Sequence, residues 1–244
     1  MGQDSKIEWT DHTWNPWVGC TKVAPACDHC YAEGWSKRSG LVEWGGDRRR
    51  TSAQNWKQPL KWNRDAQAAG KPATVFCLSL GDIWDNQIDP AWRRDAFAVM
   101  RDTPWLVYLL LSKRIGNAVK MCPDGLPRNA VIGATMVNQE EWDRDAPKLS
   151  DAQARLSAVL SFASIEPMLG PMNIRQHMPD WIICGGESGP GARHMEEGWA
   201  ASIMRQAVVA GVPFFMKQMA RKAPIPDFLA LRQFPNFRQI ALPL

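Results

Sequence analysis

Short apolar runs of strand length recur along this chain, separated by stretches whose apolar residues fall at helical spacing. Thr74–Leu80 (TVFCLSL) and Trp105–Leu111 (WLVYLLL) are two such runs. Ala130–Thr135, Leu160–Ile165, Trp181–Cys184 and Pro213–Met216 are four more, and a shorter one lies near Trp14–Val18. Each is apolar at successive positions rather than at alternate ones, the pattern of strands buried on both faces, as in a parallel sheet. Between them the period changes. A helix is expected from Pro90, with Asp89 as its N-cap and Trp92, Ala96, Phe97 and Met100 on one side. Others are expected from about Asp151 into Ala158, and from Glu196 through Ala210, with Gly211 and Pro213 ending the last.

Strand and helix alternating in this way predict an α/β fold with a parallel sheet. No linker interrupts the series, and seven strands in one unit fit a parallel β/α barrel, complete or partial, as a single domain over residues 1–222. A doubly wound open sheet is the second choice, since the glycine-rich phosphate loop expected after its first strand is absent. Residues 40–70 are polar, with Gly45, Gly46 and Arg48-Arg49-Arg50, and read as a surface excursion. Residues 223–244 are punctuated by proline and read as an irregular tail packed on the barrel.

Composition narrows this picture only modestly. The chain has 244 residues, 45% hydrophobic and 22% charged, enough for one real core. Its net charge of +4 permits a polyanionic partner without requiring one. No apolar run is long enough to cross a bilayer, and Met1–Asp11 lacks the apolar core of a signal peptide, so a cytoplasmic location is expected. Reduced thiols are the rule there, and the six cysteines read as metal ligands or small core residues rather than disulfides.

Three of them are concentrated. Cys20, Cys27 and Cys30 lie within eleven residues, and the last two form C-x-x-C. Two thiolates at that spacing can bind one metal centre. Structural zinc usually closes its shell with four ligands, and His29 or His12 is available as a fourth. A four-iron cluster held by three cysteines instead keeps one iron open for a small molecule. Spacing alone leaves zinc and cluster both standing. Cys77 and Cys184 sit inside apolar runs and read as core, while Cys122 falls in a Met-Cys-Pro-Asp-Gly turn.

Thr13-Trp14-Asn15-Pro16, Gly19-Cys20-Thr21-Lys22-Val23 and Pro25-Ala26-Cys27-Asp28-His29-Cys30-Tyr31-Ala32-Glu33 resemble a phage-associated three-Cys-motif family, uncharacterised relatives of radical S-adenosylmethionine enzymes. The resemblance continues through Gln58–Trp62, Leu111–Arg114, Ile165–Pro171, Gly185–Arg193 and Gly211–Gln218, and covers about residues 5–220. It implies a radical SAM-like TIM barrel, a [4Fe–4S] cluster on Cys20, Cys27 and Cys30, S-adenosylmethionine as cofactor, and a flavodoxin- or ferredoxin-like electron donor. Two departures stand out. Six residues separate Cys20 from Cys27 where the usual motif has three. Gly133–Gln139 is also looser than the family's version, in which an acidic residue is usual.

In β/α barrels the chemistry gathers at the C-terminal ends of the strands. Here those positions carry Ser79 and Asp82; Ser112, Lys113 and Arg114; Thr135 and Asn138; Glu166; Gly185, Gly186, Glu187 and Ser188; and Lys217 and Gln218. A strand end is also where ordinary polar loops begin. Matched to the cofactor, Asp82 would take its amino group and Lys113 or Arg114 its carboxylate. Asn138 and Ser112 would take the ribose, with Ser79 beside them. Gly185-Gly186 would let backbone approach the ligand, while Glu166, Glu187 and Lys217 would contact cofactor or substrate as catalytic groups. The expected function is therefore reductive cleavage of S-adenosylmethionine to a 5′-deoxyadenosyl radical acting on an unidentified substrate. A nucleic acid base is one candidate for that substrate. Arg48–Arg50 beside Trp44 and Trp56 would offer phosphates and bases a cationic, aromatic surface. The bland alternative is a solvated arginine loop with both tryptophans packed inward, and then a small metabolite or a peptide as substrate. A non-enzymatic zinc- or cluster-containing nucleic-acid-binding protein is the rival function. A zinc hydrolase fits poorly with four histidines in the chain.

Overall fold

The computed structural model describes residues 2–189 and 191–241. Met1, Pro190 of the Gly185–Arg193 motif and residues 242–244 of the tail lie outside the described residues. Among the described residues, nine strands and eight α-helices follow in chain order: β1 His12–Trp14, β2 Trp17–Val18, α1 Tyr31–Ser39, β3 Arg49–Arg50, α2 Ala53–Trp56, α3 Gln58–Ala68, β4 Ala73–Cys77, α4 Pro90–Arg101, β5 Leu106–Ser112, α5 Ala118–Met121, β6 Ala130–Thr135, α6 Gln139–Arg155, β7 Ser161–Ile165, β8 Ile182–Gly185, α7 Glu197–Val209, β9 Phe214–Gln218 and α8 Arg238–Ala241. Seven strands form one all-parallel sheet in the order β1-β4-β5-β6-β7-β8-β9. Every crossover steps the same way, so the sheet curls. β1 and β9 do not pair, and the result is a half-barrel rather than a closed one. β2 and β3 make a separate two-stranded antiparallel ribbon.

Alternation along the strands divides the core in two. Val75, Cys77, Tyr108, Leu110, Ile132, Ala134 and Ile165 face outward onto helices that supply Trp62, Phe97, Met100, Leu149 and Ile203. Phe76, Val107, Leu109, Val131, Phe162, Ile183 and Phe215 face inward, where Trp9, Trp181 and Ile240 cover them. The half-barrel therefore has an apolar floor, closed across its open side by the segment before β1 and by the tail. Cys77 and Cys184 are fully buried, as expected, and Cys122 is buried too.

Helix starts follow the residues that cap them. Asp89 accepts from Ala91 N at the start of α4, and Asn138 accepts from Glu141 N at the start of α6. α6 begins twelve residues earlier than the sequence pattern places it. Its interior Pro147 and polar first half mask a helix that Trp142, Ala146, Leu149 and Ala152 nevertheless bury on one side. Residues 40–70 are not a simple excursion. The loop to Gly46 lies at the surface, but α3 is the helix of the first β/α unit and buries Pro59, Trp62 and Ala66. In the tail, Leu229 and Ile240 are buried against the barrel, and a short helix, α8, forms at Arg238–Ala241.

Candidate functional site

Above the floor the inward side chains change character. Gly133 leaves room for Phe162, since a Cβ there would lie 2.2 Å from the ring. One step further along the strands, Thr135, Ser164, Glu166 and Lys217 replace the apolar residues. They form one wall of a cavity of about 350 Å³ at the C-terminal mouth. The opposite wall is the loop carrying Cys20, Cys27 and Cys30, with Tyr31 of α1; Ser79, Asp82, Ser112, Lys113 and Arg114 lie between. Trp9, Phe76, Leu78 and Leu111 form its base.

Asp82 is only 4% exposed. It accepts from Ser112 Oγ at 2.7 Å, Lys113 N at 3.0 Å and Trp84 N at 2.9 Å, and pairs with Arg114 at 3.3 Å. Its lone pairs are committed, so Asp82 frames the site; it does not offer a free carboxylate to a ligand's amino group. The Ser112 hydroxyl is committed in the same way, donating to Asp82 and accepting from Arg114 N. Arg114 passes the orientation on. Its guanidinium donates to Cys20 Sγ at 3.3 Å and to Thr21 O at 2.9 Å. Burial pushes the Cys20 thiol up, against the opposing pull of Arg114. Burial by itself would lower Arg114, but Asp82 and Cys20 outweigh it and raise it.

Ser79 lines the cavity with its hydroxyl held by the Asn15 carboxamide at 3.0 Å. Glu166 and Lys217 form an ion pair in the wall, and Ser164 Oγ donates to Glu166 at 3.4 Å. The Thr135 hydroxyl is buried with no hydrogen-bond partner among the described residues and lines the cavity. Lys113 and Lys222 line the mouth with no ion-pair partner among the described residues.

Four expected site residues do not line the cavity. Asn138 is spent on capping α6. Glu187 is turned to the cysteine loop: it accepts from His29 Nδ1 at 2.8 Å and from Arg193 N at 2.8 Å, and pairs with the Arg193 guanidinium. Burial opposes its ionisation, but these donors prevail and hold it at about 2. Gly185 and Gly186 permit close packing within the protein rather than approach to a ligand. A Cβ at Gly185 would lie 3.4 Å from Glu166 Oε2, and one at Gly186 would lie 2.4 Å from Ala220 N. The arginine run likewise does not present three free cations. Arg48 is buried and bonded to Asp85 at 2.7 Å, and Arg50 pairs with Asp95 while lying 4.0 Å over the Trp56 ring. Of the three, Arg49 is exposed and has no acidic partner among the described residues. Trp44 and Trp56 pack inward.

Residues of the cavity that sequence reasoning passed over include Tyr31, whose hydroxyl donates to Ser79 O at 2.8 Å, and Lys22 and Lys222. Ser164 was legible, two positions before Glu166 on the same strand face.

The donor set bears on which metal the cysteines could hold. Neither candidate histidine lines the cavity with the three thiols: His29 bonds Glu187 through Nδ1, and His12 is stacked on Trp62 at 4.5 Å with Nδ1 accepting from Asp4 N. The three thiols line one cavity, yet among the described residues no three His, Cys, Asp or Glu side chains close on a single-ion site. Three cysteines without a histidine, facing an unpaired hydroxyl and free cations, fit a cluster with a ligand beside it.

The family model described as "Protein of unknown function (DUF5131)" matches residues 4–226. The chain belongs to this family. No curated protein matches it. Among solved structures it is similar to a doubly substituted spore photoproduct lyase with bound AdoMet and dinucleoside spore photoproduct. The TM-score is 0.50 at 11% identity, over 89% of this chain and 59% of that one. The likeness is one of fold: this DUF5131 member is a parallel β/α half-barrel spanning about three-fifths of the length of that lyase. No helix among its described residues is long and apolar enough to cross a membrane.

Proposed function

We propose that the protein is an enzyme that holds a [4Fe–4S] cluster on Cys20, Cys27 and Cys30 and cleaves S-adenosylmethionine reductively. The observation carrying this reading is the composition of one cavity: three cysteine thiols on one wall, and the unpartnered Thr135 hydroxyl with the Glu166–Lys217 pair on the other. A half-barrel like that of a structure with AdoMet bound supports it. A cluster held by Cys20, Cys27 and Cys30 would leave one iron for S-adenosylmethionine and would supply the electron for its reductive cleavage to methionine and a 5′-deoxyadenosyl group that acts on the substrate.

The chain's own residues set the conditions. Arg114, fixed by Asp82, places positive charge against Cys20 and favours its thiolate. Lys113 is the free cation for the cofactor carboxylate, and Thr135 a donor for its ribose. The apolar base keeps water from the reacting atoms. Glu166 and Lys217 offer a paired acceptor and donor to cofactor or substrate. A nucleic acid base remains the proposed substrate, supported by the free lysines of the mouth and by the dinucleoside in the similar structure, not by the arginine run. A flavodoxin- or ferredoxin-like protein is the proposed electron donor.

The test is anaerobic reconstitution, with iron and sulfide analysis, then incubation with S-adenosylmethionine and a strong reductant. About four irons and four sulfides per chain are expected, with 5′-deoxyadenosine formed. Stoichiometric zinc without acid-labile sulfide would overturn the reading.

A further inference from the structure

The six-residue spacer between Cys20 and Cys27 is not left to fold around a metal. It is gripped at both ends by arginines from distant parts of the chain. At the Cys20 end, Arg48 donates to Thr21 Oγ1 at 2.7 Å and Arg114 to Thr21 O at 2.9 Å. At the Cys27 end, Arg193 Nη2 donates to Pro25 O at 2.9 Å, and Nη1 to Asp28 at 3.3 Å. The same guanidinium is seated on Glu187, which also accepts from His29, between Cys27 and Cys30. Arg193 and Glu187 come from the loop after β8, on the far side of the half-barrel mouth from β1. A planar guanidinium can hold a carboxylate and two further acceptors at once; a lysine ammonium cannot hold that geometry.

We propose that Arg193 and Glu187 are positioning residues that clamp the Cys27–Cys30 turn to the β8 loop and so preset the long cysteine spacer for its cluster. The inference rests on the cluster reading for its purpose, but the clamp belongs to the polypeptide alone and can be tested there. Neither residue lines the cavity; Glu187 acts through His29, and Arg193 through Pro25 and Asp28. The GGES…AR pattern of residues 185–193, read from sequence as a ligand-binding stretch, thereby takes a different role: its glycines pack on Glu166 and Ala220, and its charged pair holds the cysteine loop.

The experiment has two arms. In the first, metal-free protein under anaerobic conditions is treated with an alkylating reagent, and modification of each cysteine is followed by peptide mass analysis. Arg193→Ala and Glu187→Ala should speed alkylation of Cys27 and Cys30 by about tenfold, the scale of losing charge-assisted hydrogen bonds that keep a loop closed. Cys77 and Cys184, which are fully buried, report global unfolding and should stay slow. Glu187→Gln, which keeps hydrogen-bond acceptance, should fall between; Arg193→Lys should not restore protection. In the second arm the same variants are reconstituted, and iron content and the midpoint potential are measured; reduced occupancy and a shifted potential are expected. Equal alkylation of Cys27 and Cys30 in wild type and both alanine variants would overturn the clamp, whatever metal the wild type holds. Faster alkylation of all four cysteines together would also overturn it, showing a general loss of fold. Failure of the wild type to bind iron, with the alkylation pattern as expected, would overturn the cluster reading and leave the clamp standing.

Discussion

At the scale of single residues, the site separates groups that frame it from groups that face a ligand, and substitutions should respect that division. Cys20→Ala, Cys27→Ala and Cys30→Ala should each abolish the brown colour and iron content of reconstituted protein, whereas Cys77→Ala and Cys184→Ala should retain both, read by absorbance and iron analysis. Asp82→Ala should behave as a fold defect. It strips Ser112, Lys113 N and Arg114 of their acceptor and leaves a buried guanidinium unpaired, which costs about 3–5 kcal/mol by denaturant unfolding. Lys113→Ala should instead leave the melting transition alone and weaken S-adenosylmethionine binding about tenfold or more by equilibrium titration, as loss of a charged hydrogen-bond partner does. Had Asp82 been a free ligand group, the two variants would behave alike. The sequence made these residues visible as strand-end polar positions. It did not show which were already satisfied by one another, because hydrogen-bond partners distant along the chain leave no local pattern. Arg48 is the clearest case: it sits in a run of three arginines, which normally means a solvated face, yet its side chain is buried against Asp85.

At the scale of elements, the parallel strands were legible because burial on both faces forces continuous apolar runs, and each expected strand overlaps an observed one. α6 was less so. Its first half carries Gln139, Glu140, Asp143 and Arg144, whose spacing reads as surface until the Asn138 cap and the buried Glu141, which accepts from Val137 N, are seen. Asn138→Ala should cost about 1 kcal/mol of stability and leave cofactor affinity unchanged, since the side chain is committed to the helix. The same helix holds Asp145 between Arg144 and Lys148. Burial works against its ionisation, but these two cations keep it below its ordinary 3.8. A carboxyl lowered in the folded state stabilises above its unfolded value and loses that contribution as pH falls through the folded one. Wild type should therefore exceed Asp145→Asn in stability at neutral pH. The gap should narrow below about pH 4, as followed by thermal unfolding across a pH series.

For the whole molecule, β/α alternation without a linker announced the architecture but not its closure. The gap between β1 and β9 is covered by irregular segments, and irregular segments have no period to read. Gly133→Ala should test the floor: the added methyl has nowhere to go beneath Phe162, and a loss of about 1–3 kcal/mol is expected by denaturant unfolding. Ile240→Ala should cost about 2–5 kcal/mol, because that side chain is 2% exposed inside the same cluster. Trp9 and Ile240 meet over one apolar floor although nearly the whole described chain lies between them. During synthesis, then, every strand of the sheet leaves the ribosome before the residue that seals the concave face. Until the segment around Ile240 emerges, the nascent protein lacks one of the side chains that cover its apolar concave face. Its core can only be completed after translation of the last strand, in one late step.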